Sequence, residues 1–470
     1  MKKILLDGIA AAEKKGASYA EARFSDVQQE RLEEGTGNSS CCHHARQKGI
    51  AVRVLVDGYW GFAAAPAEGR NGIDKLVQQA VDAARQASCY RLPPVTISTQ
   101  PGSKGEYRTP AHKNPFDVLL AEKEDLLQHV DVALQGENVV KRQSWLAFRR
   151  EEKILVSTLE VDTEQTLYHS AAGCSLTVRT ERGSQTRSWP GPRGRWFSGG
   201  FEKIVALDMP SMARPLVQEA EELCGVSPCQ RGVYDVVLAG DALALVIRET
   251  LGYLLEMDNY LNLPQGIRPP LGGAAQATPC VSLTSDPAFI GGAGTYGFDD
   301  EGVAARETKL IQEGVLTSLL SNRETGPKAG GASNGSARAA SWEVPPLVRI
   351  SNLLLKPGYG SRKDLIGQVE RGLYIDTAEG ISLDSLRSNF RLVGESGRLI
   401  YNGRLTSSVP YPAVEASSED FWHACSAVAG AGEWEVWGVE DEKGAPLQLL
   451  PVGIGLSPAL FRRIKAGGLS

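Results

Sequence analysis

Apolar residues at Ile4, Leu5, Ile9 and Ala12 alternate with charges in helical period, which predicts an amphipathic helix over residues 2–15, closed by Gly16. From Ser18 to about Ala65 the period falls to two. Ala51-Val52-Arg53-Val54-Leu55-Val56, an Asp57-Gly58 turn and Tyr59-Trp60-Gly61-Phe62 then predict a hairpin. A second helix is expected over Ile73 to Ala87, a connector over the Pro/Ser/Gly-rich Leu92 to Pro110, and a third helix over Pro115 to Leu134. Between Asn138 and Trp189 the alternation predicts three strands of an antiparallel meander. Met209 to Cys224 reads as a helix ended by Gly225 and Pro228, which places the end of an N-terminal domain near residue 228. Beyond it, strand Val233 to Ala239 leads through Gly240-Asp241, with Asp241 as N-cap, into a helix from Ala242 to about Met257. Short, glycine-punctuated strands follow to the C-terminus, interrupted by helices near Arg362 to Arg371 and Ser417 to Ala427. No fixed-period repeat is present.

Composition narrows the class. The 470 residues carry 50 Lys+Arg and 56 Asp+Glu, a net charge of −6, with 51 Gly and 25 Pro, which suits a turn-rich globular chain rather than collagen, coiled coil or disorder. No basic block offers the clustered positive face that nucleic acid requires, so no nucleic-acid partner is expected. Eight cysteines without a repeating framework read as reduced thiols. The basic start is interrupted by Asp7 and Glu13, unlike a secretion signal, and the chain is expected to be cytoplasmic. Val233 to Leu255 is the most apolar long stretch, but Asp235, Asp241, Arg248 and Glu249 break it, so no membrane span is expected.

The segment Val246-Ile247-Arg248-Glu249-Thr250-Leu251-Gly252-Tyr253-Leu254-Leu255-Glu256-Met257-Asp258 resembles the TldD/PmbA family, whose peptidases carry H-E-x-x-x-H followed by E-x-D. Glu249, Gly252, Glu256 and Asp258 match, while Arg248 and Tyr253 stand where the family has histidine. Further matches follow in order and spacing: Gly294 to Val303, Leu310 to Leu316, Ser321 to Thr325, Ser333-Asn334-Gly335, Arg349 to Asn352 and Pro357-Gly358. Gly49 to Val54, Asp57 to Phe62 and Gln448 to Gly455 extend the similarity over nearly the whole chain, towards the TldD branch.

The resemblance implies an α+β fold, with an N-terminal domain (1–228) of helices and antiparallel sheet packed on a β-rich, peptidase-like C-terminal domain (229–470). It also implies a dimer around an enclosed cavity that admits unfolded peptides. Family peptidases bind zinc through the two histidines and a tail cysteine. Here the tail, Glu442 to Gly453, has no cysteine, and Arg248 and Lys443 are cations that repel the ion, so no metal ligand is assigned and no cofactor is expected. Glu249, the general base of an active relative, is the candidate catalytic residue. The competing reading is a cleft carboxylate paired to Arg248 or Tyr253. Arg248, Tyr253 and Glu256 are the candidate substrate contacts, with Glu256 and Asp258 also readable as polar groups behind the site or at the helix end.

Other clusters carry less. Asp299-Asp300-Glu301 has hard-cation chemistry but sits inside a family turn motif and reads as structural. Adjacent residues of Cys41-Cys42-His43-His44 point to opposite faces of a strand and do not converge on a metal. Cys224 with Cys229 and His423 with Cys425 read as core packing or incidental surface placement, and Gly291 to Gly294 as a loop. The function expected is a zinc-free, peptidase-like subunit that dimerises with itself or with a zinc-bearing TldD-type paralogue. The alternative is an active metallopeptidase or peptide-processing enzyme with zinc at a relocated site, with Glu249, Glu256, His423 and Cys425 the residues to inspect. A gyrase-linked or DNA-associated regulator rests only on an older family name, and the acidic chain gives it no support.

Overall fold

Alternation in the first half of the chain folds as one long sheet with two different faces. A computed structural model describes residues 1–67, 70–90 and 93–468. Its first sheet contains β1 (Tyr19–Gly35), β2 (Asn38–Val56), β3 (Tyr59–Pro66), β4 (Lys104–Arg108), β5 (Val139–Ser157), β6 (Asp162–Thr180), β7 (Gly183–Trp189) and β8 (Arg195–Ser198). The order is β3-β2-β1-β5-β6-β4, with β7 and β8 also on β6, and only β4 runs parallel to its neighbour. At the β2–β3 turn Asp57 and Gly58 both take positive φ, 52° and 83°, the twist a two-residue hairpin needs.

One face of this sheet carries two apolar patches. Ala20, Ala22, Val52, Val54 and Val156 bury under helices α1 (Lys2–Lys14) and α2 (Arg70–Ala87). Farther along, Leu32, Leu146, Phe148 and Ala172 bury under α3 (Leu120–Ala133) and the short helices Met209–Ala213 and Pro215–Leu223. On the other face Glu21, Arg23, Arg53, Glu151 and Lys153 are polar yet buried. Arg23 donates to the carbonyls of Ser341 and Val344, Arg53 to Glu301 at 2.6 Å, Arg149 to the Ala340 carbonyl, and Lys153 to Asp300 at 3.0 Å. Asp299 meanwhile accepts the backbone N–H groups of Glu301, Val303 and Ala337. The Asp299-Asp300-Glu301 cluster therefore carries the contact between the two halves, its oxygens taken by protein donors.

From residue 232 onward the chain builds a nine-stranded and a six-stranded sheet. β9 (Gly232–Leu238) lies between the parallel strand Arg371–Ile375 and the antiparallel strand Ala459–Gly468. Both sheets share a core with the helical segment after β9, including Val236, Leu243, Ile247, Leu353, Trp422 and the stacked rings of Phe421 and Phe461, 4.0 Å apart.

Several elements differ from expectation. The helix expected over Met209 to Cys224 breaks at Arg214, where Pro215 removes a backbone donor and starts a new helix. The connector holds strand β4, although its first residue, Leu92, lies outside the described residues. The later helices are shorter, Arg362–Gly367 and Ser418–His423, and the residues after them, Arg371 and Cys425, begin strands. Asp241 is not an N-cap. The helix begins one residue earlier, the Asp376 carbonyl takes the Ala242 N–H, and the Asp241 carboxylate instead receives Arg193 at 2.6 Å and the Ala378 N–H.

Candidate functional site

The segment expected as one helix from Ala242 to Met257 is four pieces. Gly240–Val246 is α-helical, Ile247–Leu251 is a π turn, Gly252–Leu255 a 3-10 turn, and Glu256 is extended before the helix Met257–Asn262. Leu243, Ile247, Leu251 and Leu255 of these pieces pack into the shared core, while Arg248, Glu249, Tyr253 and Leu254 are partly buried. The π turn matters for the motif. It holds Arg248 and Glu249, while Tyr253 falls in the 3-10 turn that follows. Below the turn, Thr250 donates to the Val246 carbonyl (2.7 Å) and accepts from Trp422 Nε1 (2.8 Å). Close packing fixes Gly252, where an added Cβ would lie 3.0 Å from Leu353.

Glu249 is held by two guanidinium groups. Arg248 pairs with its Oε1 and Arg387 with its Oε2, while Arg387 also donates to the Glu249 carbonyl at 3.3 Å. Burial raises the Glu249 pKa, but the charges of Arg248 and Arg387 outweigh it, and the carboxyl titrates below its ordinary range. The Arg387 guanidinium also lies 4.0 Å above the Tyr253 ring, so Tyr253 supports Glu249 through Arg387. Arg248 donates its other nitrogen to the Glu440 carbonyl on the strand Glu435–Lys443, tying the π turn to a sheet edge.

A second cluster completes the region. Lys443 Nζ donates at 2.7 Å each to Glu256 Oε2, Asp258 Oδ1 and the Val348 carbonyl. Glu256 also receives the Ile350 N–H at 2.9 Å and Asn259 Nδ2 at 2.8 Å. Burial pushes the Glu256 carboxyl up to about 7, against the pull of Lys443. A guanidinium and an ammonium have no free lone pair, and Glu249, Glu256 and Asp258 are already occupied by cations, so this donor set does not suit a zinc ion.

The structure thus gathers Arg248, Glu249 and Tyr253 around Arg387 and places Glu256 at the Lys443 cluster. Arg387 carries no local signal, since it arrives from 138 residues away. Among the described residues, no third donor joins a pair of the remaining metal candidates. Cys41 and His43 share one face of β2, 3.2 Å apart, while His423 donates to the Glu419 carbonyl. Among the described residues no group of three or more His, Cys, Asp or Glu could hold a metal, and no helix is long and apolar enough to cross a membrane.

Fold and site define a two-domain α+β chain with a peptidase-type motif whose carboxylates are clamped by cations. Comparison gives the family. Residues 231–468 match the PmbA/TldA metallopeptidase C-terminal domain and residues 43–84 match PmbA/TldA metallopeptidase domain 1. A metalloprotease of Methanothermobacter thermautotrophicus is 30% identical over 430 residues, covering 90% of this chain and 89% of that protein. The zinc metalloprotease TldD homolog of Saccharolobus solfataricus is 23% identical over 401 residues, covering 84% and 85%. In fold, the chain is similar to a putative modulator of a DNA gyrase from Thermotoga maritima (TM-score 0.80, 20% identity, 99% of both chains). It is also similar to TldE from Thermococcus kodakarensis (TM-score 0.76, 16% identity, 99% and 100%). The chain belongs to the TldD/PmbA family.

Proposed function

We propose that this chain is a zinc-free, peptidase-like subunit that dimerises, with itself or with a zinc-bearing TldD-type paralogue, and binds unfolded peptide in the enclosed cavity. The occupation of the histidine positions by Arg248 and Tyr253, with Glu249 locked between Arg248 and Arg387, carries the reading. Fixed cations compensate the buried carboxylates without supplying a Lewis acid or a bound hydroxide, so Glu249 has no activated water to deprotonate. Peptide binding is supported by the site's position. Arg248 grips a carbonyl at the edge strand Glu435–Lys443, and an extended peptide laid along such an edge presents further carbonyls to the same guanidinium. The intended locale is the cytoplasm.

The test is metal content by plasma mass spectrometry on protein purified without chelator or histidine tag, paired with anisotropy of a labelled unstructured peptide. Zinc well below one per chain, with peptide binding that a chelator leaves unchanged and Arg248→Ala weakens, is the expected result. One zinc per chain would overturn the reading in favour of an enzyme with a relocated site. Absence of peptide binding by both the chain alone and its complex would remove the peptide-binding part.

A further inference from the structure

Away from this site, two cysteines meet across a tertiary contact. Thr278-Pro279-Cys280-Val281 is a β-turn closed by the Val281 N–H on the Thr278 carbonyl at 3.0 Å, with Pro279 at the position that presets the turn. The turn docks on the start of the strand Cys425–Val428. Thr278 Oγ1 lies 2.6 Å from the Cys425 carbonyl and 3.1 Å from Cys280 Sγ, and the Cys280 and Cys425 sulfurs are 3.7 Å apart. The two thiols differ in surroundings: Cys425 is 1% exposed in the core, whereas Cys280 is half-buried beside the exposed Pro279.

We propose that Cys280 and Cys425 are a dithiol modification site, which a hydroperoxide converts into an intramolecular disulfide joining the Thr278–Val281 turn to the strand Cys425–Val428. Cys280 is the attacking sulfur, because it is the accessible one and the Cys425 S–H, 3.7 Å away, can donate to its thiolate, while the Thr278 hydroxyl donates to the Cys425 carbonyl and holds the turn on the strand. Donation from Cys425 brings the Cys280 thiol down to about 6, and the same contact, together with burial, pushes Cys425 up. In the first step the Cys280 thiolate attacks the peroxide. An S–O bond forms, the O–O bond breaks, the alkoxide or hydroxide leaves and takes a proton, and Cys280 is oxidised to sulfenic acid. In the second step Cys425 gives up its proton and its sulfur attacks Cys280 Sγ. The S–S bond forms, the S–O bond breaks and water leaves, so two thiols and one ROOH yield a disulfide, ROH and water.

Closing the contact to a bond of about 2.05 Å requires movement mainly of the surface turn, since Cys425 is fixed in a sheet through its pairing with Phe461. That movement reaches the candidate site. The Thr278 N–H bonds the Trp422 carbonyl, and Trp422 Nε1 bonds Thr250 of the π turn.

The test is non-reducing peptide mapping of the full-length protein after titration with hydrogen peroxide. A Cys280–Cys425 cross-link two hydrogens lighter than the free peptides, reversed by dithiothreitol, is the expected product, and Cys280 should lose its thiol at least about tenfold faster than buried Cys174. Cys280→Ser should leave Cys425 a thiol under the same titration, and Cys425→Ser should leave Cys280 as a sulfenic acid trapped by dimedone. Since Cys425→Ser alters a core position, phenylarsine oxide, which bridges paired thiols, provides an independent measurement on the unsubstituted protein: protection of Cys280 and Cys425 together is expected. Over-oxidation of Cys280 with Cys425 still free, failure of phenylarsine oxide to protect the pair, or earlier cross-linking elsewhere would overturn the proposal.

Discussion

Replacing Lys443 by Met tests the charge balance at the site, because it keeps the side chain's length and removes its ammonium. Three hydrogen bonds of 2.7 Å disappear, to Glu256, Asp258 and the Val348 carbonyl. Asp258 is 31% exposed and can recover water, but the Glu256 side chain is only 4% exposed and keeps just Ile350 N–H and Asn259 as donors. Removing one partner of a buried ion pair costs about 3–5 kcal/mol. The cost is pH-dependent. A carboxyl whose folded pKa is raised stabilises the fold below its unfolded value, about 4.3, and that contribution is lost as pH rises through the folded value. In the unsubstituted chain the folded value is about 7; without the ammonium it lies higher, so the penalty of Lys443→Met grows from pH 5 to pH 8.5. Urea unfolding followed by tryptophan fluorescence should show the midpoint falling by on the order of 1 M at pH 8.5 and by clearly less at pH 5. Adding Glu256→Gln should recover at least about half of the loss at pH 8.5. An equal penalty at both pH values, or no recovery in the double variant, would refute the buried-pair reasoning.

Three further outcomes are expected. Glu249→Gln should cost about 1–3 kcal/mol at pH 7, and the cost should fade in acid, because a carboxyl with a lowered folded pKa contributes fully above about 4.3 and loses its contribution as pH falls through that lowered value; chemical denaturation at pH 7 and pH 3.5 checks this. Burial and then Arg149 and Arg338 press His169 down to about 3, so the folded chain stays unprotonated while the unfolded chain takes a proton, a loss of about 2 kcal/mol between pH 6.5 and pH 5; His169→Asn should flatten that part of the stability profile. Arg248→His with Tyr253→His should still bind no stoichiometric zinc by plasma mass spectrometry, since two imidazoles lack a third donor and Lys443 remains; one zinc per chain would mean that another residue completes the site.

Local rules made the strands legible and the site only partly so. Alternation and the Asp57-Gly58 pair were sufficient for the β2–β3 hairpin, because a type I′ turn has few acceptable sequences and period two admits one register with the apolar face inward. The same alternation hides the role of the polar face: Glu21, Arg23, Arg53 and Lys153 look solvent-facing in sequence, yet each is buried against the second half of the chain. Ala242 to Met257 was legible as helical but not as a π turn followed by a 3-10 turn, since Leu243, Ile247, Leu251 and Leu255 satisfy a core in any of these windings. The Arg248–Glu249 pair follows from adjacency, whereas Arg387 and Lys443 meet this segment across 138 and 187 residues, separations on which helical spacing has no bearing.

The arrangement of charge shows how this segment folds with cations at its acidic positions. Buried carboxylates require a counter-charge, whatever else the site does. Glu249, Glu256 and Asp258 stand at the positions that match the family's acidic ones, with Arg248 and Arg387 both paired to Glu249 and Lys443 shared by Glu256 and the partly exposed Asp258. A zinc ion in a relative would meet the same electrostatic need, but it also brings open coordination and an acidified water, which no fixed side-chain cation reproduces. Substituting cations for ligands therefore separates two properties that a metal joins. On the proposed reading, the segment keeps the compensation that lets it fold between the sheets without the group that would make Glu249 a base. Arg248 can do both remaining jobs, neutralising Glu249 with one nitrogen and holding a backbone carbonyl with the other. Arg248→Ala is therefore expected to weaken peptide binding and to cost stability as well, since it leaves Glu249 to Arg387 alone, whereas Arg387→Ala, which removes a partner of Glu249 and the cation above the Tyr253 ring, should cost stability while leaving the Arg248 contact to the edge strand in place.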